Sequence, residues 1–144
     1  MKGSQPSHLP PVPSGIKPVI LAADDDTVTR RVIAAKLERE GYTVLSFSNG
    51  EDLLAQARKS KPALIILDLM MPAMDGYSTL RALRADPAHA AVPVLMLSSK
   101  NQEEDIVSCL KAGAADFVVK PFSPQELVAR VRKLIPRGTG THAS

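Results

Sequence analysis

The amino-acid sequence predicts an α/β fold in which a doubly wound, five-stranded parallel sheet is covered by five helices. Short apolar runs of strand length alternate along the chain with segments whose apolar residues have helical spacing. Glycines mark helix ends, as Gly41 and Gly113 do just past two of these segments. Alternating strands and helices favour parallel pairing, because each connection carries the chain back across the sheet in a right-handed crossover.

The predicted strands are short and mostly apolar, and each is followed by one predicted helix. The strands are Val19–Ala23, Thr43–Phe47, Leu64–Asp68, Val94–Ser98 and Asp116–Val119. The helices cover residues 27–40, 51–59, 76–86, 103–112 and 124–134. Apolar spacing in the first helix predicts a single buried face, which consists of Val28, Val32, Ile33 and Leu37. One helix is thus available to cover the sheet after every strand.

Length and composition suit a single domain. The chain has 144 residues, of which 44% are hydrophobic, and this is enough for one core. Five of the twelve prolines lie within the first 18 residues, so we expect a flexible, proline-rich leader over residues 1–17. We expect the folded domain at residues 18–135 and a flexible tail at residues 136–144. The single Cys109 excludes an internal disulfide and a cysteine-cluster metal site.

The charge pattern argues against nucleic acid as a partner of this chain. The net charge is +3, but Lys2, Lys17 and Arg137 supply the whole excess. The predicted domain is therefore neutral and lacks the basic footprint of nucleic-acid binders. No apolar run approaches the roughly 20 residues that a membrane span needs, and the amino terminus lacks the apolar block of a secretory signal. We expect no membrane association and a cytoplasmic location.

Polar side chains stand at the carboxyl ends of four predicted strands. The run DDD at residues 24–26 follows the first strand, Asp68 ends the third, Ser98 ends the fourth and Lys120 follows the fifth. In a doubly wound sheet such strand ends border a crevice where the strand order reverses. Two carboxylates about 5 Å apart repel by roughly 3 kcal/mol at an effective dielectric constant of about 20, so the cluster indicates a divalent cation. Oxygen ligands favour Mg²⁺, or Mn²⁺, over zinc.

The same crevice suits phosphoryl chemistry on Asp68. Aspartate can accept a phosphoryl group covalently, and such transfer depends mainly on positioning and on the neutralisation of charge. A cation on one side, with the Ser98 hydroxyl and the Lys120 ammonium on the other, would complement a phosphoryl group on this carboxylate. The sequence therefore predicts phosphoryl transfer to Asp68.

Five features, in order along the chain, resemble a response-regulator receiver domain of two-component signalling, of the stand-alone chemotaxis type in size. They are DDD after the first strand, LDLMMPAMDG, SSK after PVLML, GAADFVVKPF and the intervening helix pattern, and they cover about residues 18–135. The resemblance implies a flavodoxin-like sheet with strand order 2-1-3-4-5. It also implies a phosphorylation-activated signalling switch, and not an enzyme beyond its own phosphoryl transfer and slow autodephosphorylation.

The resemblance assigns a phosphoacceptor and a metal site. Asp68 would be the phosphoacceptor, and Asp24 and Asp25 would be the acidic pair that binds Mg²⁺. Asp25 and Asp68 would be direct ligands, and Asp24 would act through a water molecule. The Met70 backbone carbonyl would be a further ligand.

By the same resemblance, other residues would respond to phosphorylation. Lys120 would contact the phosphoryl group, and its peptide bond to Pro121 would be cis. Ser98 occupies the Thr/Ser switch position, and Phe117 occupies the aromatic switch position, which rotates between outward and inward states. Met70 stands where the family varies residues that tune hydrolysis. Because a thioether cannot orient an attacking water, we predict a long-lived phosphoryl group.

The resemblance implies two kinds of partner, one that donates the phosphoryl group and one that responds to the phosphorylated domain. The phosphoryl group would come from a phosphohistidine on a sensor histidine kinase or a histidine phosphotransfer protein. Phosphorylation would change the surface formed by the fourth helix, fifth strand and fifth helix, at about residues 103–135. That change would alter the binding of a downstream effector protein or an attached domain.

Two other interpretations of the sequence stay open. A degenerate receiver that acts as a phosphorylation-independent protein-binding module would have the same fold. A metal-dependent phosphatase of the haloacid-dehalogenase type also uses an aspartate nucleophile, but it expects a second aspartate two residues on, where this chain has Met70. A flavin-binding electron carrier is disfavoured, because Asp24, Asp25 and Asp26 would repel the flavin phosphate.

Overall fold

The structure of the protein, a computed structural model, describes residues 16–100 and 102–136. Its strands are β1 (Val19–Ala23), β2 (Thr43–Phe47), β3 (Leu64–Asp68), β4 (Val94–Ser98) and β5 (Asp116–Val119). Its helices are α1 (Thr27–Arg39), α2 (Gly50–Ala57), α3 (Gly76–Ala85), α4 (Glu103–Lys111) and α5 (Pro124–Leu134). The strands lie at the predicted residues, and every helix boundary is within two residues of its prediction. Of the predicted leader and tail, residues 1–15 and 137–144 lie outside the described residues.

The strands form one parallel sheet in the order β2-β1-β3-β4-β5. β1 lies between β2 and β3, with Ala23 opposite Phe47 on one side and Leu67 on the other. β4 joins β3 to β5, and Asp68 stands opposite Leu97. The strand order reverses between β1 and β3, so the carboxyl ends of these two strands border the crevice. The predicted doubly wound, flavodoxin-like fold and its strand order are confirmed.

Apolar layers cover both faces of the sheet. On one face α1 and α5 bury Ile33, Leu37, Leu127 and Val131. On the other face α2 and α3 bury Leu53, Leu80 and Leu83. Every residue of β3 and β4 is buried, which explains why both strands read as unbroken apolar runs up to their polar last residues. Among the described residues, no helix has both the length and the apolar character that a membrane span requires.

The predicted buried face of α1 is wrong in its first half. Ile33 and Leu37 are buried, but Val28 is 66% exposed and Val32 is 39% exposed. Successive residues of an α-helix are about 100° apart, so Val32 and Ile33 cannot share a narrow face. Val28 and Val32 instead line an open apolar groove together with Phe122.

A side-chain hydrogen bond caps the start of four helices, α1, α2, α3 and α5. Asp26, Asn49, Asp75 and Ser123 each accept a hydrogen bond from a backbone N–H in the first turn of α1, α2, α3 and α5. At the other ends, Gly41 and Gly113 have φ angles of 97° and 108°, which confirms them as helix stops after α1 and α4. The crevice therefore lies between strand ends and well-defined helix starts.

Candidate functional site

Three carboxylates meet at the carboxyl ends of β1 and β3. Asp24, Asp25 and Asp68 each offer one oxygen atom, and these atoms lie within 4.8 Å of one another. Asp24 and Asp68 are buried, whereas Asp25 is exposed. The pairing of Ala23 with Leu67 explains their proximity, because the next residues along the two strands then stand side by side. The acids predicted to hold a cation are thus brought together.

Lys120 reaches this cluster from the end of β5. Its Nζ atom lies 2.7 Å from Asp24 Oδ2 and 3.4 Å from Asp68 Oδ2. Its backbone N–H donates to the Ser98 carbonyl at 2.9 Å, and its bond to Pro121 is cis, as predicted. Burial alone would lower the pKa of Lys120, but the hydrogen bond and charge of Asp24, with a smaller effect of Asp68, raise it above its ordinary value. The ammonium is therefore charged and shared between two carboxylates.

The Asp68 carboxyl is held in an unfavourable electrostatic environment. Burial, and then the negative charge of Asp24, raise the pKa of Asp68 from 3.8 to about 6. The Lys120 ammonium and the Met70 N–H, whose nitrogen lies 3.3 Å from Asp68 Oδ1, act in the opposite direction. Asp68 is thus largely ionised at neutral pH, but its charge is poorly compensated.

The loop between β1 and α1 is fixed by several hydrogen bonds. The Asp24 N–H donates to the Phe47 carbonyl at 3.0 Å, and the Asp26 N–H donates to Asp24 Oδ1 at 2.9 Å. Arg30, in the second turn of α1, donates from Nη1 to the Asp24 carbonyl at 2.7 Å and from Nη2 to Thr27 Oγ1 at 3.1 Å. Arg30 was not predicted from the sequence. The available signal was a long basic side chain one turn into the helix that follows the acidic run.

The loop between β3 and α3 approaches Asp68 closely. The Gly76 N–H donates to the Leu69 carbonyl at 3.0 Å, which closes the loop. A Cβ atom at Gly76 would lie 2.2 Å from the Asp68 carbonyl oxygen, so a side chain cannot be placed there without movement of the backbone. The Met70 side chain is 54% exposed, and its backbone follows Asp68 at the crevice. The assignment of the Met70 carbonyl as a ligand stays a prediction.

The two predicted switch residues occupy different surroundings. Ser98 is fully buried at the end of β4, and its Oγ accepts a hydrogen bond from the Lys100 N–H at 2.9 Å. It follows Leu97, which pairs with Asp68, so Ser98 lies on the strand next to that of Asp68. Phe117 is only 9% exposed and packs in the core layer that lies under α2 and α3. The structure thus holds Phe117 in a buried position.

Comparison with known families identifies the chain. Residues 20–132 match the family described as response regulator receiver domain. The chain belongs to this family. Receiver domains are the signalling modules of two-component systems, and the predicted resemblance is confirmed.

Curated relatives of the receiver domain are regulators of about twice its length. Transcriptional regulatory protein ResD of Bacillus subtilis is 40% identical over 122 residues, which are 85% of this chain and 50% of ResD. DNA-binding response regulator MtrA of Mycolicibacterium smegmatis is 42% identical over 118 residues, which are 82% of this chain and 50% of MtrA. The chain therefore spans about half the length of these relatives.

Solved structures match the receiver domain over nearly their full length. The chemotaxis response regulator CheY4 of Vibrio cholerae is 30% identical, with a TM-score of 0.79, over 83% of this chain and 99% of that chain. The receiver domain of the Francisella response regulator 1452 is 34% identical, with a TM-score of 0.76, over 83% of this chain and 97% of that chain. These similarities agree with the fold described above.

The residues of the crevice fit a hard divalent cation. The donors are carboxylate oxygens, two of them from buried residues, and one ammonium stands against three acids. Burial raises the pKa of Asp68, and the negative charge of Asp24 raises it further, so a second positive charge beside Lys120 would favour the ionised carboxylate. Oxygen donors with unbalanced charge suit Mg²⁺ or Mn²⁺.

Proposed function

We propose that this receiver domain is a phosphorylation-activated signalling switch with Asp68 as the phosphoacceptor. The observation that carries the proposal is the position of the Asp68 carboxylate, which lies beside the Asp24 and Asp25 carboxylates and 3.4 Å from the Lys120 ammonium. The phosphoryl donor is a phosphohistidine on a sensor histidine kinase or a histidine phosphotransfer protein. An Asp68 oxygen attacks phosphorus, the phosphorus–nitrogen bond breaks, and the imidazole nitrogen leaves with the electron pair.

The acids of the crevice hold the metal in this proposal. Asp25, Asp68 and the Met70 carbonyl would hold Mg²⁺, with Asp24 acting through a water molecule, and Mn²⁺ could take its place. The cation, when bound, neutralises charge on the carboxylates and on the phosphoryl oxygens. Lys120 already contacts Asp68, with 3.4 Å between Nζ and Oδ2, and would move its hydrogen bonds to the phosphoryl group. Phosphoryl transfer is then a matter of orientation and charge neutralisation, with no separate general base.

Phosphorylation changes contacts that the unphosphorylated protein makes. The phosphoryl group adds about −1.5 to −2 charges at Asp68. It competes for Lys120, which contacts Asp24, and for the Ser98 hydroxyl, which accepts from the Lys100 N–H. Movement of the loops after β4 and β5 then repositions Phe117. To change the ratio of active to inactive molecules from about 1:99 to about 99:1, these contacts must favour the active state by about 5.5 kcal/mol.

The output surface in this proposal consists of α4, β5 and α5. Its occupant is a downstream effector protein or an attached domain. The relatives named as DNA-binding and transcriptional regulators are compatible with an attached effector domain. We propose that this chain does not itself contact nucleic acid, because residues 18–135 carry equal numbers of basic and acidic side chains. We also place its action in the cytoplasm.

Intact-mass analysis after incubation with acetyl phosphate tests the proposal. We expect one added phosphoryl group that requires both Mg²⁺ and Asp68, so the mass shift should disappear with EDTA and in Asp68→Asn. Asp52→Asn removes an exposed acid of α2 and should label like the wild type. Labelling that survives in Asp68→Asn would contradict the assigned acceptor. Metal binding without any labelling, by acetyl phosphate or by a phosphohistidine protein, would favour the phosphorylation-independent binding module.

The lifetime of the label tests the predicted role of Met70. Its exposed thioether is a weak hydrogen-bond acceptor and cannot orient an attacking water. We expect slow loss of the phosphoryl group after the donor is removed, and faster loss in Met70→Asn. Equal and rapid loss in both proteins would contradict this role without affecting the assignment of Asp68.

A further inference from the structure

We propose that Arg30 is a positioning residue for the metal site, which it serves by fixing the backbone that carries Asp25. The inference rests on the proposed function, because it assumes that the acidic cluster binds a divalent cation. Arg30 does not touch the cation in this proposal. It acts through the peptide group that joins Asp24 to Asp25.

The Arg30 guanidinium spans the turn that contains Asp25. Nη1 donates to the Asp24 carbonyl at 2.7 Å, and Nη2 donates to Thr27 Oγ1 at 3.1 Å. One rigid planar group therefore binds the chain just before and just after the segment 25–26. Because the Asp24 carbonyl belongs to the peptide that also includes the Asp25 nitrogen, its hydrogen bond fixes the orientation of that peptide.

Asp25 depends on its backbone more than the other two acids do. Asp24 is held by its own side chain, since Oδ1 accepts from the Asp26 N–H and Oδ2 accepts from Lys120. The Asp68 side chain is held by the Met70 N–H and by Lys120. Within residues 16–100 and 102–136, no hydrogen bond or ion pair holds the exposed Asp25 side chain, although one of its oxygens lies in the cluster. Its position is therefore set by the backbone that Arg30 fixes.

The direction in which Mg²⁺ affinity changes when Arg30 is replaced distinguishes a positioning role from an effect of charge. Arg30 carries a positive charge close to a site for a cation, so charge alone predicts that its removal strengthens Mg²⁺ binding. Positioning predicts the opposite result, because Asp25 would lose its fixed backbone. Partners that orient a metal ligand typically contribute about tenfold to a hundredfold in metal affinity.

The neighbouring residue supplies a matched control. Arg31 has the same charge, lies next to Arg30 on α1 and is exposed. Arg30→Lys supplies a second comparison, since lysine keeps the charge but lacks the planar fork that binds two acceptors at once. Arg31→Gln tests the loss of a positive charge near the site, and Arg30→Lys tests the loss of the two-donor geometry with the charge kept.

The experiment is a Mn²⁺ titration, followed by the paramagnetic resonance signal of the free ion, and repeated with Mg²⁺ as competitor. We expect Arg30→Gln to weaken binding about tenfold or more, Arg30→Lys to weaken it to a smaller extent, and Arg31→Gln to leave it unchanged or slightly stronger. Labelling by acetyl phosphate should need more Mg²⁺ in Arg30→Gln but should reach the wild-type rate at saturating Mg²⁺. If Arg30→Gln only reduced the fraction of folded protein, the labelling rate at saturating Mg²⁺ would fall as well.

Several outcomes would overturn the inference. Wild-type or tighter binding in folded Arg30→Gln would show that Arg30 acts only through its charge or not at all. If Arg30→Gln does not fold, Arg30→Lys decides the question. Wild-type affinity for Mn²⁺ in this variant would show that the two-donor guanidinium is not required, which would overturn the inference. Absence of Mn²⁺ and Mg²⁺ binding in the wild type would reject the metal site itself, and this result is distinguishable because it precedes any comparison with variants.

Discussion

The Lys120 ammonium lies closer to Asp24 than to the proposed phosphoacceptor. Its Nζ atom is 2.7 Å from Asp24 Oδ2, whereas Asp68 Oδ2 is 3.4 Å away. Lys120 is therefore first of all the counter-ion of the buried Asp24 carboxylate, which follows β1. In the proposed function, a contact between Lys120 and the phosphoryl group would have to compete with this ion pair.

Replacement of Lys120 by methionine should destabilise the metal-free protein. Asp24 and Asp68 are buried, and both would lose the ammonium that contacts them. Because an uncompensated buried charge is costly, we expect the free energy of unfolding to fall by about 2 kcal/mol, as measured by urea denaturation in EDTA at pH 7.5. Mg²⁺ should restore part of the loss. The exposed Lys111 is the control, and an equal loss in Lys111→Met would contradict the explanation.

Asp68→Asn should stabilise the metal-free protein at neutral pH. The pKa of Asp68 is raised by burial and by Asp24 from 3.8 to about 6, so the folded state binds more protons than the unfolded state between these values. The contribution of Asp68 to stability is therefore favourable below about pH 4 and is lost as the pH rises through 6. We expect the asparagine variant to gain about 1 kcal/mol in the free energy of unfolding at pH 7.5.

Urea denaturation at pH 7.5 and pH 4.5 tests whether Asp68→Asn raises the free energy of unfolding and whether the gain depends on pH. The gain from Asp68→Asn should be smaller at pH 4.5, where the wild-type carboxyl is mostly protonated in the folded state. Glu38→Gln, at an exposed position of α1, should show neither effect. A variant that is less stable than the wild type at pH 7.5 would contradict the electrostatic explanation.

Gly76→Ala should disturb Asp68 through the backbone. The added Cβ would lie 2.2 Å from the Asp68 carbonyl oxygen and 2.9 Å from Leu69 Cα, and backbone atoms cannot move aside cheaply. We expect a loss of about 2 to 3 kcal/mol in the free energy of unfolding, together with weaker labelling by acetyl phosphate. Ser78→Ala, at an exposed position of the same helix, should change stability by less than about 0.5 kcal/mol. Equal stability of the two variants would show that the loop can relax.

His89→Leu should loosen the loop that precedes β4. His89 is 5% exposed, and its Nδ1 and Nε2 atoms lie 3.0 Å from Asp86 Oδ2 and 2.8 Å from the Ala57 carbonyl. The first bond is local to the loop after α3, and the second ties this loop to the end of α2. Leucine removes both of them, so we expect a loss of about 1 to 2 kcal/mol in the free energy of unfolding, with faster amide exchange in the loop. Unchanged exchange would contradict this role, and His89→Gln, which can keep one bond, should lose less.

Local patterns explain why the secondary structure was predictable. β3 and β4 are buried on both faces and therefore show continuous apolar runs, and Gly41 and Gly113 adopt the positive φ angles typical of helix stops. The proximity of Asp24 to Asp68 was also predictable, because parallel strands place their carboxyl ends at one edge of the sheet. By contrast, the order of the strands followed from the family resemblance and not from periodicity.

Contacts between distant residues were not predictable in the same way. The exposure of Val28 and Val32 depends on how α1 rotates against the sheet and α5, which the apolar spacing did not specify. His89 lies in the loop before β4 and is buried, and its bond to the Ala57 carbonyl at the end of α2, 32 positions away, has no local sequence signal. The contact of Arg30 with the Asp24 carbonyl requires the angle at which α1 leaves β1.

The sequence by itself determined the strands, the helices, and the residue types that stand at the strand ends. Apolar periodicity, helix caps and helix-ending glycines act over a few residues, so they can be read along the chain. Only the tertiary structure decided that Lys120 pairs more closely with Asp24 than with Asp68, and that Arg30 binds the turn around Asp25. Those relationships depend on small differences between interatomic distances across elements, such as 2.7 Å against 3.4 Å for the two contacts of Lys120. Such distances are set by the packing of the whole sheet and its helices.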